Sequence, residues 1–561
     1  MKTKLKFVVT VAMGTSVFLF FALANKQSWQ LRSYQPSRAP APLSRNIFPN
    51  GSGDKTTPDE EGARLSRLLQ EFTGSYLDIP ADNETATSAD FTEFQILHPG
   101  SVYRVGDILS VLIRAKDMRN REKTYGGDFF RAKIYTERTK SSAPGRVRDF
   151  GNGTYGVTFR LLWEGDVTVS VRMVHSSSAV RVIKRVAEGF PFNRSWYQRR
   201  YITGNKSSTG WCSLNPNDLQ IPEGGGICDF SDSYAGVEWY CQRPEGVACK
   251  QSVFHRHNGY LKEHTDLGLT EEEMRYFKFM HRRNGRGLEA IKAEIQSKNS
   301  TIQVAGNSSG ADEEEQLPSC RPGLPVPVPS GYYRNGRWVS RVCATTRLSP
   351  LEYKKCLQNK ILDFLGDSTV RQWAEFLAKL LNMENIPVPY FTSATAGPVH
   401  YLETEWNITT RYQSHGTPLK TYTWTNATVL SNLARIIDSI PGGPDRVVVV
   451  TLGLHFSNHP LSVFIRRVRA VRAAILRLRS REPETIVVIK PPNTTGASFN
   501  HLDEWPLFQI YLVLKEMFSG LPVVLVDTWE MTDCQFHEDN VHPTNDVISE
   551  EVSYMLSYVC V

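Results

Sequence analysis

Two short motifs in the C-terminal half carry side chains of the kind that transfer acyl groups. Ser368 follows Gly366 and Asp367, and His542 lies three residues after Asp539. A serine hydroxyl becomes a nucleophile when a histidine takes its proton, and a carboxylate beside the histidine fixes its tautomer. We therefore expect Ser368 as nucleophile, His542 as base and Asp539 as the group that orients the histidine. The alternative for the serine motif is a helix N-cap without chemistry.

Strand and helix patterns alternate through this half and place both motifs at the ends of strands. Short apolar, β-branched runs are typical of strands covered on both faces, and helical patterns separate them. Strands joined by helices predict an α/β domain with a parallel sheet, whose ligands bind at the carboxyl ends of the strands. The strands are expected at 361–365, 446–452, 485–489 and 522–526, and the helices at 370–381, 462–479 and 505–518.

The N-terminal half has a different pattern. Residues 107–114 and 165–172 alternate apolar and polar side chains, and turn residues separate such runs. Short strands without helices between them predict an all-β, immunoglobulin-like sandwich, followed by a disulfide-rich extension. The predicted segments are a signal peptide or signal anchor at 1–24, a flexible stem at 25–89, the sandwich and its extension at 90–290, a linker at 291–330 and the α/β domain at 331–561.

The N-terminus has the properties of an export segment. Three lysines precede an apolar run at 7–24, and basic residues ahead of such a run stay on the cytoplasmic side. Ala22-Leu-Ala24 offers small residues for cleavage, which favours a removed signal peptide, whereas the length of the run also fits an uncleaved type II anchor. In both cases the remaining chain faces the lumen of the secretory pathway or the outside of the cell.

Cysteines and glycosylation sequons support this compartment. In an oxidising lumen we expect a group of disulfides in each half and one cysteine left over, and irregular spacings disfavour a zinc site in the first group. The cysteines are Cys212, Cys228, Cys241, Cys249, Cys320, Cys343, Cys356, Cys534 and Cys560. The sequon asparagines are Asn50, Asn83, Asn152, Asn193, Asn205, Asn299, Asn307, Asn407, Asn426 and Asn493.

Both halves resemble known domains. Leu365-Gly-Asp-Ser-Thr-Val-Arg-Gln372 and Asp539-Asn-Val-His-Pro543 are similar to motifs of the PC-esterase branch of the SGNH (GDSL-type) hydrolases. Tyr125-Gly-Gly-Asp-Phe-Phe-Arg-Ala132 and Asn152-Gly-Thr-Tyr155, with the four clustered cysteines, resemble the neurexophilin domain. Over residues 90–561 the chain therefore resembles the neurexophilin and PC-esterase domain family.

This resemblance implies a flavodoxin-like SGNH fold for the C-terminal half, with the roles given above for the serine, histidine and aspartate. It also implies an enzyme that adds or removes acetyl esters on glycans through an acyl-serine, with acetyl-CoA as the acetyl donor of a transferase and no bound cofactor. Water as the acceptor makes the enzyme an esterase, and a sugar hydroxyl makes it a transferase. The expected protein is secreted, or anchored as a type II protein in the Golgi.

The residues that would stabilise an oxyanion depart from the SGNH pattern. Relatives complete the oxyanion hole with a Gly-x-Asn-Asp segment, whereas the corresponding strand end here reads Leu452-Gly-Leu-His-Phe456. Gly453 and His455 are the candidates to replace the asparagine, and Gly397 is a candidate for the second glycine block. Arg371 lies one helical turn after the serine, where it either binds a substrate carboxylate or phosphate or forms a structural ion pair.

A binding protein is the alternative function. The neurexophilin resemblance implies a secreted ligand of neurexin-type receptors, and the altered 452–456 segment fits a degenerate catalytic domain. The net charge of +7 is spread along 561 residues, which is compatible with an acidic glycan but gives little support for nucleic-acid binding. No metal site is predicted.

Overall fold

The fold is seen in a computed structural model that describes residues 58–73, 83–189, 197–257, 269–282, 285–306, 317–388, 396–496 and 503–561. The predicted export segment at 1–24 lies outside these residues. No helix within the described ranges is long and apolar enough to cross a membrane.

Apolar–polar alternation builds the strands of the N-terminal half. In the strand Ile108–Arg114, Leu109, Val111 and Ile113 are buried, whereas the residues between them are at least partly exposed. The elements of this half are α1 (Pro58–Thr73), β1 (Glu93–Ile96), β2 (Tyr103–Arg104), β3 (Ile108–Arg114), β4 (Phe129–Thr136), β5 (Ser141–Pro144), β6 (Arg146–Asp149), β7 (Thr154–Arg160), β8 (Gly165–His175), α2 (Ser177–Gly189), β9 (Tyr197–Thr203), β10 (Lys206–Ser213), β11 (Gly226–Asp229), β12 (Tyr240–Arg243), β13 (Ser252–His257), α3 (Glu271–Met274), β14 (Phe277–Arg282), β15 (Gly285–Ala290), β16 (Ala293–Glu294) and β17 (Thr301–Ala305).

Continuous apolar runs build the strands of the C-terminal half. The strand Arg446–Thr451 buries four valines in succession, as expected for a strand covered on both faces. The elements here are β18 (Gly331–Arg334), β19 (Arg337–Ser340), α4 (Pro350–Cys356), β20 (Ile361–Gly366), α5 (Ser368–Leu380), β21 (Glu384–Ile386), β22 (Val399–Glu403), β23 (Ile408–Ser414), β24 (Thr425–Asn426), α6 (Leu433–Ser439), β25 (Arg446–Thr451), α7 (Leu461–Arg481), β26 (Ile486–Lys490), α8 (Glu504–Phe518), β27 (Val524–Leu525), α9 (Thr528–Asp533) and α10 (Asn545–Leu556).

Two sheets of the N-terminal half share one core. An antiparallel sheet has the order β1-β3-β7-β6, and a larger mixed sheet has the order β19-β18-β5-β4-β8-β17-β2, with β16 paired to β8. Val111 and Val157 from the first sheet pack in the same hydrophobic cluster as Ile134 and Val169 from the second. Two sheets that bury their inner faces against each other form a β-sandwich.

A third sheet contains the cysteine-rich extension. Its order is β11-β12-β10-β9-β13-β24, and β24 belongs to the C-terminal half of the chain. The disulfide Cys212–Cys241 joins β10 to β12, and Cys228–Cys249 ties β11 to the turn before β13. Disulfides thus fix this extension while its last strand pair connects it to the C-terminal half.

The later cysteines form a separate set of disulfides. Cys320 pairs with Cys343, and Cys356 pairs with Cys560. Cys534 is left over as a buried thiol, whose pKa burial raises above its ordinary value. The structure therefore pairs cysteines within each predicted group and leaves one unpaired.

The C-terminal sheet has the order β21-β22-β23-β20-β25-β26-β27, and its last five strands are parallel. Numbered along the chain, these five strands follow the order 2-1-3-4-5 of doubly wound sheets, whose ligands bind at the switch point between the first and third strands. Val447 and Val449 pack against α5 and α10, whereas Val448 and Val450 pack against α6, α7 and α8. Helices therefore cover both faces, and the switch point lies between the ends of β20 and β25.

The element boundaries differ from the predicted segments. The helix α1 lies in the predicted stem, and β16 and β17 lie in the predicted linker but pair with strands of the sandwich. The strands β18 and β19, predicted in the α/β domain, extend the sandwich sheet through β5. In β17 every second side chain is buried. This short apolar–polar alternation forms a strand although the composition of the surrounding segment is polar and predicted a linker. The described residues from Pro58 onward form one compact unit.

Gly366 makes the turn that leads from the sheet into α5. Its φ of +150° lies in the region that favours glycine. A Cβ at this position would lie 2.3 Å from the backbone carbonyl oxygen of Thr451, at the end of β25. The two strands therefore approach so closely at the switch point that only glycine fits, and Ser368 begins the helix directly after this contact.

Replacement of Gly366 by alanine is expected to lower the free energy of unfolding by about 2–4 kcal/mol, because the methyl group meets backbone and adopts a strained φ. Thermal and denaturant unfolding measure the loss. Gly520→Ala is the matched control, since Gly520 also has a positive φ of +72° but an added Cβ meets nothing within 4 Å. The control should lose only about 1 kcal/mol, and equal losses in the two variants would contradict the close-approach argument.

Candidate active site

Asp367 caps α5 and thereby sets the direction of Ser368. Its Oδ1 accepts hydrogen bonds from the backbone N–H of Thr369 at 2.9 Å and from the Thr369 hydroxyl at 2.7 Å. The cap role that the sequence analysis gave as the alternative therefore belongs to the aspartate alone. Ser368 is the first residue of α5 and is half-buried, so its hydroxyl lies at a helix start, where backbone N–H groups have no partner within the helix.

A loop at 539–543 holds His542 over this helix start. The backbone N–H of His542 donates to Oδ1 of Asn540 at 3.0 Å. The side chain of Asn493 donates to the carbonyl oxygens of Asn540 and Val541, at 3.1 and 3.2 Å. Gln372 of α5 donates to the carbonyl oxygen of Pro543 at 2.8 Å. The loop is therefore tied to α5 and to the segment after β26.

The two halves of a nucleophile–base pair meet at this point. Nε2 of His542 lies 2.8 Å from Oγ of Ser368, which is within hydrogen-bond distance. The imidazole is exposed, so a molecule from solvent can reach the pair. This geometry allows the histidine to take the serine proton as the oxygen attacks an electrophilic carbon.

Partial desolvation favours the neutral form of His542. Although the residue is exposed, the protein around the ring removes part of its hydration and lowers its pKa below the ordinary value; the carboxylate of Asp367 opposes this shift, and Arg371 adds to it. A histidine with a lowered pKa is unprotonated at neutral pH and can therefore act as a base.

Asp539 does not lie where the sequence analysis expected it. Among the described residues, the structure has no hydrogen bond between Asp539 and His542. Its carboxylate instead accepts from Arg131 at 2.8 and 3.2 Å and from Thr494 Oγ1 at 3.0 Å. Burial alone would raise the pKa of Asp539, but Arg131 and Lys292 hold it well below its ordinary value. The charge is stabilised by the sandwich half rather than by the histidine.

Arg371 forms the structural ion pair that was one of its two predicted roles. Its Nη1 donates to Oε1 of Glu375 at 2.7 Å, one helical turn further along α5. The guanidinium also lowers the pKa of His542, as described above. A role of Arg371 in binding a substrate anion stays a prediction.

The candidate oxyanion residues lie at the carboxyl end of β25. Gly453 precedes a 3-10 turn at Leu454–Phe456, and His455 within that turn is buried. Nδ1 of His455 lies 2.8 Å from Nε2 of His415, and burial together with the ring of His455 lowers the pKa of His415. His415 was not predicted as a site residue, although it directly follows β23 at the same sheet edge.

Gly397 occupies a tight place on the edge of the sheet. Its φ is +71°, and an added Cβ would lie 2.9 Å from the carbonyl oxygen of Tyr412 on β23. The close contact with the backbone of β23 is sufficient to explain why a glycine occupies this position. The predicted role of Gly397 in an oxyanion hole stays a prediction.

Lys490 lies buried beneath the helix start and was also missed by the sequence analysis. It is the last residue of β26, and its Nζ donates to Oγ1 of Thr369 at 3.2 Å. Burial lowers the pKa of this amine. A polar residue that ends an apolar strand was the signal available in the sequence, because such ends meet at one sheet edge.

The sequon asparagines differ in exposure, and one prediction is wrong. Asn493 is fully buried and its amide holds the loop at 539–543, so it cannot carry a glycan in the folded protein. Asn152, Asn205, Asn299 and Asn407 are exposed, and Asn426 is half-buried. Asn50, Asn193, Asn307 and the side chain of Asn83 lie outside the described residues.

In the part of the chain that the structure describes, no group of three or more His, Cys, Asp or Glu side chains is arranged to hold a metal ion. The first cysteine group, for which a zinc site was the alternative, forms disulfides.

Reactivity of Ser368 is expected to fall in acid with a midpoint below pH 6.5, because only neutral His542 accepts the serine proton and its pKa is lowered from that value. Arg371→Gln should move the midpoint to higher pH, since it removes a positive charge that lowers the pKa. The rate of fluorophosphonate labelling as a function of pH measures both. Arg148→Gln, an exposed arginine of β6, is the control with no expected shift. An unchanged midpoint in Arg371→Gln would contradict the electrostatic argument.

Two family models match the chain. Residues 72–278 match the family described as neurexophilin. Residues 338–560, which include the serine–histidine pair, match the family described as NXPE family member 4-like, C-terminal domain, a PC-esterase-like family. These domains and the disulfides indicate a secreted or luminal protein. The chain therefore combines a neurexophilin domain with an NXPE-type, PC-esterase-like C-terminal domain.

Proposed function

We propose that this protein is a luminal or secreted glycan O-acetyltransferase or acetylesterase that works through an acyl-serine at Ser368. The observation that carries the proposal is the 2.8 Å contact between Ser368 Oγ and His542 Nε2. It lies at the switch point of the parallel sheet, where ligands of doubly wound sheets bind. The 2-1-3-4-5 strand order and the Gly-Asp-Ser turn after the first strand support an SGNH-type, flavodoxin-like fold.

The proposed reaction has two steps, acetylation and deacetylation of Ser368. His542 takes the proton of Ser368 while Oγ forms a bond to the acetyl carbonyl carbon, and the carbonyl electrons move onto oxygen. When the tetrahedral intermediate collapses, the bond to the leaving group breaks and that group takes the proton from the histidine. An acceptor hydroxyl then attacks acetyl-Ser368 in the same way, and the proton removed from it returns to Oγ.

The oxyanion of both steps needs hydrogen-bond donors in place before the reaction. The backbone N–H of Ser368 at the start of α5 is a candidate donor, because that of Thr369 already donates to Asp367, and Gly453 at the end of β25 is a further candidate. The imidazole of His455 is less suited, because it is buried beside His415. Positioning by backbone donors would compensate for the missing asparagine of the SGNH pattern.

The substrates follow from the resemblance to PC-esterases. Acetyl-CoA is the proposed acetyl donor, and a glycan hydroxyl is the proposed acceptor. Arg371 is the candidate for an acidic group on that glycan. Whether water competes with the sugar depends on how the bound substrates cover the exposed imidazole.

Fluorophosphonate is expected to label Ser368 in the purified full-length protein, because the contact with His542 activates its hydroxyl. Peptide mapping identifies the labelled serine, and acetyl transfer from acetyl-CoA to a panel of glycans, with release of acetate, measures turnover. Ser368→Ala should lose labelling and turnover while its melting temperature changes little.

Ser349→Ala is the matched control, since Ser349 also lies at a helix start but belongs to α4. Its labelling should equal that of the wild type. Two results would contradict the proposal. One is labelling of another serine that persists in Ser368→Ala, and the other is a wild-type protein that is neither labelled nor active on any glycan.

A second candidate function is a ligand for neurexin-type receptors, and the neurexophilin match at 72–278 favours it. Binding to neurexin-type ectodomains is then expected from the full-length chain, and Ser368→Ala should retain it. The full chain is needed because β18, β19 and β24 of the C-terminal half complete sheets of the N-terminal half. A biosensor measurement with no binding at micromolar receptor would contradict this function.

A further inference from the structure

A buried arginine of the sandwich reaches into the C-terminal half. Arg131 lies on β4, and its side chain is 7% exposed. Its guanidinium binds both carboxylate oxygens of Asp539, contacts Glu504 at 3.0 Å, and pairs with Asp533. All three acids belong to the C-terminal half. The arginine is therefore the centre of a charge cluster that joins the two halves.

Other cations from the N-terminal side complete the cluster. Lys292 contacts Glu504 at 2.8 Å and Asp539 at 3.4 Å, and Arg172 contacts Asp539 at 3.3 Å. Glu504 in turn accepts the backbone N–H groups of Thr495 and Gly496. The segment that follows β26 and the loop at 539–543 are thus attached to the same buried charges.

This cluster acts on the loop that holds His542. Asp539 is the first residue of the loop, and Thr494 donates to its carboxylate at 3.0 Å. Gly496, with a φ of +62°, packs so closely that an added Cβ would lie 2.5 Å from the carbonyl oxygen of Asp539. Asn493 and Gln372 hold the residues that follow. Among these contacts to the loop, those made by Arg131, Arg172 and Lys292 come from the N-terminal half.

We propose that Arg131 is a positioning residue, which acts through Asp539 to hold His542 at bonding distance from Ser368. The inference rests on the proposed function and deepens it, because it makes the neurexophilin domain a structural part of the reactive site. Asp539 then serves the histidine through the backbone that joins them, rather than through a carboxylate–imidazole hydrogen bond.

A switch in which Asp539 leaves Arg131 to bind His542 fits the structure less well. Oδ1 accepts from Arg131 and Thr494, and Oδ2 accepts from Arg131, Lys292 and Arg172. Release would break these contacts and leave the arginine with fewer counter-charges in a buried place. The arrangement therefore fixes the loop.

Arg131→Gln in the full-length protein tests the inference. The maximal rate of Ser368 labelling by fluorophosphonate should fall about 10- to 100-fold, because a misplaced base slows proton transfer, whereas the concentration for half-maximal rate should stay unchanged. Amide hydrogen exchange at 539–543 should become faster while exchange in β25 and α5 stays protected. A role in stability alone would change the melting temperature but not the labelling rate per folded molecule.

Three further variants extend the test, and two of them, Asp539→Asn and Arg131→Lys, remain usable if Arg131→Gln folds poorly. Asp539→Asn should show the same loss, and the double variant should lose little more than either single one, since both break one interaction. Arg131→Lys keeps the charge but not the two-pronged contact and should recover part of the rate. Additive losses, or no recovery with lysine, would contradict the proposal.

Arg435→Gln is the matched control, because Arg435 of α6 pairs with Asp232 and thus also joins the two halves. Its labelling rate should equal that of the wild type. A labelled wild type with equal labelling of Arg131→Gln overturns this inference alone, and faster labelling would assign Arg131 the opposite, sequestering role. An unlabelled wild type overturns the proposed function and this inference with it.

Discussion

A small group of charged side chains at the interface between the two halves is almost completely buried. Side chains of Arg131, Glu504, Asp533 and Asp539 are each at most 9% exposed. Transfer of an ion into such a place costs several kcal/mol unless opposite charges and hydrogen bonds compensate for it. Compensation here requires residues from both halves, so neither half reaches this arrangement alone. The relative placement of the sandwich and the α/β sheet, and of the loops between them, depends on this requirement.

The reactive pair is built from parts that differ in rigidity. Ser368 follows a turn that is fixed by the contact between Gly366 and the backbone of Thr451. His542 instead lies on an irregular loop, whose position depends on side-chain anchors. The carboxylate with the strongest influence on the histidine is the helix cap Asp367. Its charge favours the imidazolium and so partly opposes desolvation, which lowers the pKa of the histidine.

Local patterns allowed much of the fold and part of the site to be predicted. Continuous apolar runs such as that of β25 identified the parallel strands, and the Gly-Asp-Ser order located the start of α5 at a strand end. The Ser368–His542 contact follows from these placements. The partner of Asp539 could not be predicted in this way, because Arg131 is separated from it by about four hundred residues and sits in a pattern that indicates only a strand. The strand pairing across the predicted segment boundary could not be foreseen for a related reason: β18 pairs with β5 of the sandwich, which is far away in sequence, and β19 pairs with β18.

The burial of Asn493 has a consequence for how the protein matures. Carbohydrate attached to this amide would replace one of the two N–H hydrogens with which it donates to the backbone carbonyls of the loop, and would fill a space that the loop occupies. A newly made chain in the secretory pathway therefore faces a competition between modification of this sequon and closure of the surrounding structure. A molecule that is glycosylated at Asn493 before the segment after β26 closes cannot adopt the arrangement in which this buried amide holds the loop at 539–543.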